Sequence, residues 1–150
     1  MLYAINILFQ RDLDKLRSEI SEYNNEKLLW VIKGDIKNSS GHLTLHICGN
    51  LQHYIGKILG NTDYKRNREF EFNATDISLS YLYTEIESTK NTLNNVLPNL
   101  DINILKKNYP IEVLGYPMTT EFFILHLSAH LSYHLGQINY HKRLITSLQP

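Results

Sequence analysis

The sequence contains few of the residues that cross-link a small fold or interrupt its helices. Among 150 residues there are one cysteine, four prolines and seven glycines. The single cysteine, Cys48, excludes an internal disulfide framework and any zinc module built from cysteines. No stretch approaches the roughly 20 apolar residues that a membrane span requires. The length and an apolar fraction of 43% are typical of one ordinary domain, which we expect over residues 1–150.

A surplus of charge is also missing. Fifteen Lys and Arg residues balance fifteen Asp and Glu residues. Proteins that bind the phosphate backbone usually carry a basic surplus, so we expect no nucleic-acid partner. The N-terminal sequence MLYAINILFQR has no basic segment before its interrupted apolar run, which argues against a secretory signal. We therefore expect a cytoplasmic protein without membrane association.

Four long segments carry the apolar spacing of amphipathic helices. Ser39 or Ser40 is the expected N-cap of the second segment, and Gly60 with Asn61 is expected to end it. Four such helices predict an all-α four-helix bundle. The predicted helices cover about residues 4–23, 40–59, 76–97 and 120–148.

Two connections between the predicted helices are long. Residues 61–73 are polar and include KRNRE, most simply a solvated loop, with a phosphate or substrate contact as the alternative. Residues 99–118 contain Pro110 and Pro117, each of which favours extended backbone at the residue before it. A short extended or hairpin segment is therefore expected before the last helix. Its length suggests a crossover or a flap over a functional site.

Histidine is frequent in this sequence, and its spacing is not random. Five of the seven histidines form three HxxxH pairs, where random placement predicts about 0.3 pairs. Residues four apart lie on one helix face, so their imidazoles can bind the same ion. The pairs are His42 with His46, His126 with His130, and His130 with His134, and the other histidines are His53 and His141.

The inward-facing pair on the last helix is the strongest candidate site. His130 and His134 share a narrow stripe with apolar residues, and the helix carries no acidic residue after Glu121. Burying both rings leaves several nitrogens without partners. Metal binding and ordinary core packing both remain open on this spacing alone. The apolar members of the stripe are Phe123, Leu127, Ile138, Ile145 and Leu148.

Two segments, GHLTLHICGNLQHYI (41–55) and HLSAHLSYHLGQINYHKRL (126–144), resemble the DinB/YfiT-like family of metal-binding four-helix bundles. That family has one histidine on its second helix and an HxxxH pair on its last helix, usually followed by Gly-Gln. The motifs LHIxGN and HxxYHxGQ, with RNREFEF at 66–72, are similar to those of an uncharacterised subgroup. The matching residues are His46, His130 and His134, with Gly136-Gln137 after them.

The resemblance implies that these three histidines hold one divalent ion, such as zinc or nickel. It also implies a homodimer and a small-molecule substrate, with a low-molecular-weight thiol among the candidates. Hydrolysis and transfer of a thiol group remain open as reaction types. Leu135 stands where many relatives have Arg. The alternative is a non-catalytic, dimeric interaction module whose histidine cluster is structural or degenerate.

Other polar residues have weaker roles at this stage. Asn50, one turn from His46, and Gln137 are candidates to orient a ligand or a bound molecule, although local pairing would explain both. No acidic residue can be placed near the histidines, so a catalytic residue stays unknown. His42 and His53 are expected to be partly exposed, His126 and His141 to be non-ligands, and Cys48 to point away from the site.

Overall fold

The computed structural model describes residues 1–147, and this range contains α-helices but no strands. Leu148, which the apolar stripe of the last helix included, lies outside the described residues. A π-helix (Gln52–Leu59) continues α2 directly, and short 3₁₀ segments cover Glu26–Trp30, Leu97–Asn99 and Ile102–Lys106. The α-helices are α1 (Leu2–Ser21), α2 (Ser40–Leu51), α3 (Arg68–Asn73), α4 (Leu79–Val96) and α5 (Thr120–Ser147).

The four long helices form a bundle, which confirms the predicted fold class. Both α1 and α2 pack against α4 and α5, so α1 and α2 occupy opposite corners. The core between the helices is built from fully buried apolar side chains. No helix within residues 1–147 combines the length and apolar composition needed to cross a membrane. The largest core side chains include Phe9, Leu13, Leu16, Ile47, Leu51, Leu82, Ile86 and Phe123.

Helix α2 is the most enclosed element of the bundle, because all twelve of its residues are buried. Its first turn is closed by a capping box, in which the Ser39 side chain accepts from the His42 backbone and the His42 ring accepts from the Ser39 backbone. The other ring nitrogen of His42, Nε2, donates to the carbonyl of Ala74 at 2.9 Å. The expectation of a partly exposed His42 is therefore wrong, because the chain before α4 folds over it.

The connection at residues 61–73 is not simply a loop, since its second half forms α3 against α2. Asn67 caps α3 by accepting a hydrogen bond from the backbone N–H of Phe70 at 3.0 Å. Helix α4 begins later than predicted, with Ser78 as its N-cap. Asp76 cannot belong to the helix because its φ is +56°, in the left-handed region.

The segment before α5 closes like a hairpin without forming strands in the described part of the chain. Asn108 and Thr119 make an isolated antiparallel bridge, and the N–H of Tyr109 donates to the carbonyl of Met118 at 2.8 Å. The Tyr109 hydroxyl donates to the carbonyl of Tyr54 at 2.7 Å. This bond fixes the connection to the beginning of the π-helix.

Candidate metal centre

The site lies on the seam between α2 and α5, which run antiparallel. Ser40 contacts His141 near one end of the seam, and Tyr54 packs on Phe123 near the other. His46 falls between these contacts and therefore faces the middle of α5. The register of the bundle thus brings one histidine of α2 against the α5 pair.

The structure gathers His46, His130 and His134 into one cluster, with one ring nitrogen from each lying within 4.8 Å of the others. The Nε2 atoms of His46 and His130 are 3.4 Å apart, and those of His134 and His130 are 3.0 Å apart. Two nitrogens bound tetrahedrally at 2.0–2.1 Å from zinc would be about 3.3 Å apart. The spacing of the rings therefore fits a single small ion.

Two of the rings are oriented by partners on their far side. Nδ1 of His46 donates to Glu71 Oε2 at 3.0 Å, because a carboxylate can only accept. Nδ1 of His134 donates to Gln137 Oε1 at 2.6 Å, while the Gln137 amide donates to the Tyr133 hydroxyl. A second hydrogen bond of this kind is the usual support of a metal-binding histidine.

These bonds leave the Nε2 lone pairs of His46 and His134 facing His130. Burial, together with the neighbouring histidines, lowers the pKa of His130 to about 3. Burial also lowers the pKa of His134, although its bond to Gln137 works in the opposite direction. Both rings are therefore neutral near pH 7, which is the form that binds metals. A cation between the rings would coordinate the Nε2 lone pairs, which otherwise lie close together and repel one another.

The cluster has an acidic partner that the sequence analysis missed. Glu71 comes from α3 and its side chain is 4% exposed. Arg66 donates to both of its oxygens, from Nε at 2.7 Å and from Nη2 at 2.8 Å. Burial opposes ionisation of Glu71, but the bonds from Arg66 and His46 outweigh it and lower the pKa of the carboxyl. The interpretation of KRNRE as a solvated loop is thus wrong for Arg66.

Glycine at position 49 makes room for this carboxylate. A Cβ built on Gly49 would lie 2.2 Å from Glu71 Oε1, far inside any allowed contact. Every other residue type would therefore displace Glu71 from its place against α2. Phe72, next along α3, packs on the ring of His46 with centroids 4.9 Å apart. Helix α3 thus supplies both the carboxylate and an apolar cover for the His46 ring.

Asn50, one turn after His46 on the same face of α2, is also buried. Its Oδ1 atom has no hydrogen-bond partner within residues 1–147. Buried side-chain acceptors of this kind are uncommon in folded proteins. Asn50 is therefore able to accept a hydrogen bond from a molecule bound beside the histidines.

The remaining histidines lie outside the cluster. His141 is buried and committed elsewhere, since Nδ1 contacts the hydroxyls of Tyr23 and Ser40 and Nε2 donates to the carbonyl of Val31. His126 stacks on His130 at a centroid distance of 6.1 Å, and His53 stacks edge-on with Tyr54. Cys48 is fully buried, and this burial raises the pKa of its thiol to about 12.

Fold and site together define a helical bundle with a three-imidazole cluster and outer carboxylate and amide partners. The chain belongs to the DUF1572 family, described as proteins of unknown function, whose profile matches residues 4–149. DUF1572 is a DinB/YfiT-like family, so the resemblance is confirmed at that level, while the subgroup suggested by the motifs stays a prediction. No curated protein matches the chain.

Proposed function

We propose that the protein is a metal-dependent enzyme of the DinB/YfiT type that binds one divalent ion through His46, His130 and His134. The observation that carries the proposal is the convergence of three Nε2 atoms, with the rings of His46 and His134 each held by a hydrogen bond at Nδ1. A cluster of neutral imidazoles favours borderline ions such as zinc and nickel. Three protein ligands and an open position are typical of catalytic rather than structural zinc sites.

The reaction we propose is transfer of a thiol group or hydrolysis of a small substrate. When bound, the ion would supply a Lewis acid and a positive charge for either reaction. The residues of the chain would orient the metal ligands and bind the substrate. Glu71 and Gln137 fix the rings of His46 and His134, and the free Oδ1 of Asn50 would accept a hydrogen bond from the substrate. We also propose one domain over residues 1–150 and a cytoplasmic location.

The first experiment measures metal content by elemental mass spectrometry, on untagged protein purified without chelators. Close to one ion per chain is expected for the wild type, and a large loss for the double variant His130→Ala/His134→Ala. His126→Ala is the matched control, because it removes a histidine one turn away on the same helix and should keep the ion. No ion in the wild type, even after incubation with zinc and nickel, would overturn the proposal.

We also propose that the protein is a homodimer, formed through residues 122–136 of α5. Large apolar side chains there are exposed on one face: Phe122 by 47%, Leu125 by 48% and Tyr133 by 63%. Ala129 and Gly136 lie on the same face, so a second helix can approach closely. Exposed apolar stripes of this kind usually mark an interaction surface.

Sedimentation velocity tests the dimer. Leu125→Glu/Tyr133→Glu should sediment as a monomer with unchanged helicity, whereas Tyr3→Glu, at an exposed tyrosine on α1, should remain dimeric. A monomeric wild type would exclude the dimer. A dimer without bound metal would favour the alternative function, a non-catalytic interaction module.

A further inference from the structure

A cavity outside the histidine cluster is lined by residues of α3, α4 and the segment before α3. Its volume is about 360 Å³, at the small end of the range of ligand sites. Three aromatic side chains and two carboxylates form most of its wall. These residues are Tyr64, Phe70 and Tyr81, with Glu71 and Glu85.

The two carboxylates of the cavity differ in what balances their charge. Glu71 accepts hydrogen bonds from Arg66 at 2.7 and 2.8 Å, so its charge is already balanced. Glu85 makes no ion pair within residues 1–147, although Lys65 also lines the cavity. Burial raises the pKa of the Glu85 carboxyl, and a hydrogen bond from Tyr81 offsets only part of this rise. A close cation would lower this pKa, so Glu85 is the unbalanced charge of the cavity.

The aromatic side chains offer two further kinds of contact to a cation. Phe70 and Tyr81 lie edge to face, with ring centroids 6.3 Å apart. An aromatic ring attracts an ammonium group that lies within about 6 Å of its face. The Tyr64 hydroxyl makes no hydrogen bond in the described part of the chain, and burial raises its pKa to about 12. This hydroxyl is therefore protonated near pH 7, and its oxygen is free to accept a hydrogen bond.

We propose that this cavity binds the ammonium group of a small primary amine. Three N–H donors of an ammonium group match the carboxylate of Glu85 and the hydroxyl oxygens of Tyr64 and Tyr81. The positive charge would also remove the cost of leaving a half-buried carboxylate unpaired. The apolar part of the amine would pack on Phe70. The proposal does not depend on the ion, because none of the three clustered histidines lines the cavity.

The experiment uses two probes, 2-phenylethylamine and 2-phenylethanol, which differ only in an amino group in place of a hydroxyl group. Isothermal titration calorimetry at pH 7 measures the affinity of the full chain for each probe. The amine should bind at least about tenfold more tightly, because a hydrogen bond to a charged group contributes more than one between neutral groups. Equal affinities, or no saturable binding of the amine, would overturn the proposal.

A pair of variants assigns the binding to Glu85. Glu85→Gln keeps the shape of the side chain and removes its charge, so the affinity for the amine should fall by about tenfold and that for the alcohol should not change. Glu87→Gln is the matched control, because Glu87 lies on the same helix and does not line the cavity. An equal loss of amine affinity in both variants would contradict a specific role of Glu85.

A competing explanation is that the amine binds to a metal ion at the histidine cluster. The affinity for the amine should therefore be unchanged in His130→Ala/His134→Ala, which lacks two of the candidate metal ligands. If this variant lost the amine and Glu85→Gln retained it, the amine would bind at the cluster and the cavity proposal would be wrong. Circular dichroism checks that each variant is folded.

Discussion

The carboxylate of Glu71 occupies space that exists only because residue 49 is glycine, since a Cβ there would lie 2.2 Å from Glu71 Oε1. The residue at position 49 of α2 therefore determines whether Glu71 can accept the hydrogen bond from His46. Gly49 does not adopt a positive φ. Glycine is therefore needed at this position because it has no side chain, and not because of its backbone conformation.

Gly49→Ala should therefore weaken metal binding without touching a ligand. Displacing Glu71 removes the acceptor of His46 Nδ1, and loss of such a partner costs roughly 10–100-fold in metal affinity. Zinc affinity, measured by competition with a chromogenic chelator, checks this. Gly136→Ala is the control, because a Cβ on this exposed residue of α5 meets nothing within 4 Å. Equal affinities of the two variants would contradict the proposed role of Glu71.

Gln137→Leu should also lower the zinc affinity, by about tenfold, because His134 loses the acceptor that holds Nδ1. The substitution removes the amide group while leaving a side chain of similar volume. Gln137→Glu retains an acceptor for Nδ1 and should restore most of the affinity. If Gln137→Leu and Gln137→Glu behaved alike, the hydrogen bond would have no part in metal binding.

His141→Ala should separate structural histidines from metal ligands. His141 joins Tyr23, Ser40 and Val31 in the interior, so its removal leaves buried polar groups without partners. We expect the free energy of unfolding to fall by about 2–4 kcal/mol and the melting temperature by roughly 5–10 °C. The metal content should stay at the wild-type value, and its loss would place His141 in the metal centre.

Glu19 should account for part of the stability that the protein loses as the pH falls below 4.5. This carboxylate is 1% exposed and accepts from Lys142 at 2.6 Å and Lys15 at 2.8 Å. Burial opposes its ionisation, but the bonds from Lys142, Lys15 and Asn139 lower its pKa from 4.5 to about 2. Because the folded-state pKa is the lower one, its stabilisation is complete above pH 4.5 and is lost as the pH falls toward 2.

Glu19→Gln should thus be less stable than the wild type at pH 7, by about 2 kcal/mol, with the difference shrinking between pH 4.5 and 2. Urea unfolding at several pH values measures this. Glu87→Gln, at a half-exposed glutamate, should show little difference at any pH. A deficit of Glu19→Gln that did not change with pH would rule out the carboxylate charge as its cause.

The histidine cluster could be predicted from sequence because its signal is a helical period. His130 and His134 are four apart among apolar residues, and the bundle then needs only one more histidine from a neighbouring helix. The identity of the ion and that of the substrate cannot be predicted in this way, because neither produces a periodic pattern in the sequence.

Glu71 could not be predicted in this way, because its place depends on contacts between distant segments. It lies in a polar run and reaches His46 across 25 residues of sequence. A weak signal was present, since Asn67 three residues before Phe70 is a typical helix cap, and Phe70 and Phe72 flank the glutamate. His42 was misjudged for a related reason: histidine replaces the usual glutamate of a capping box.

The cluster joins α2 and α5 at positions 84 residues apart in the chain. An ion held there would bind only the folded protein, and its free energy of binding would add to the stability of the fold. Metal supply would then set how often the bundle opens and becomes accessible to proteases. The cellular abundance of the protein, and not only its activity, would follow the availability of the ion.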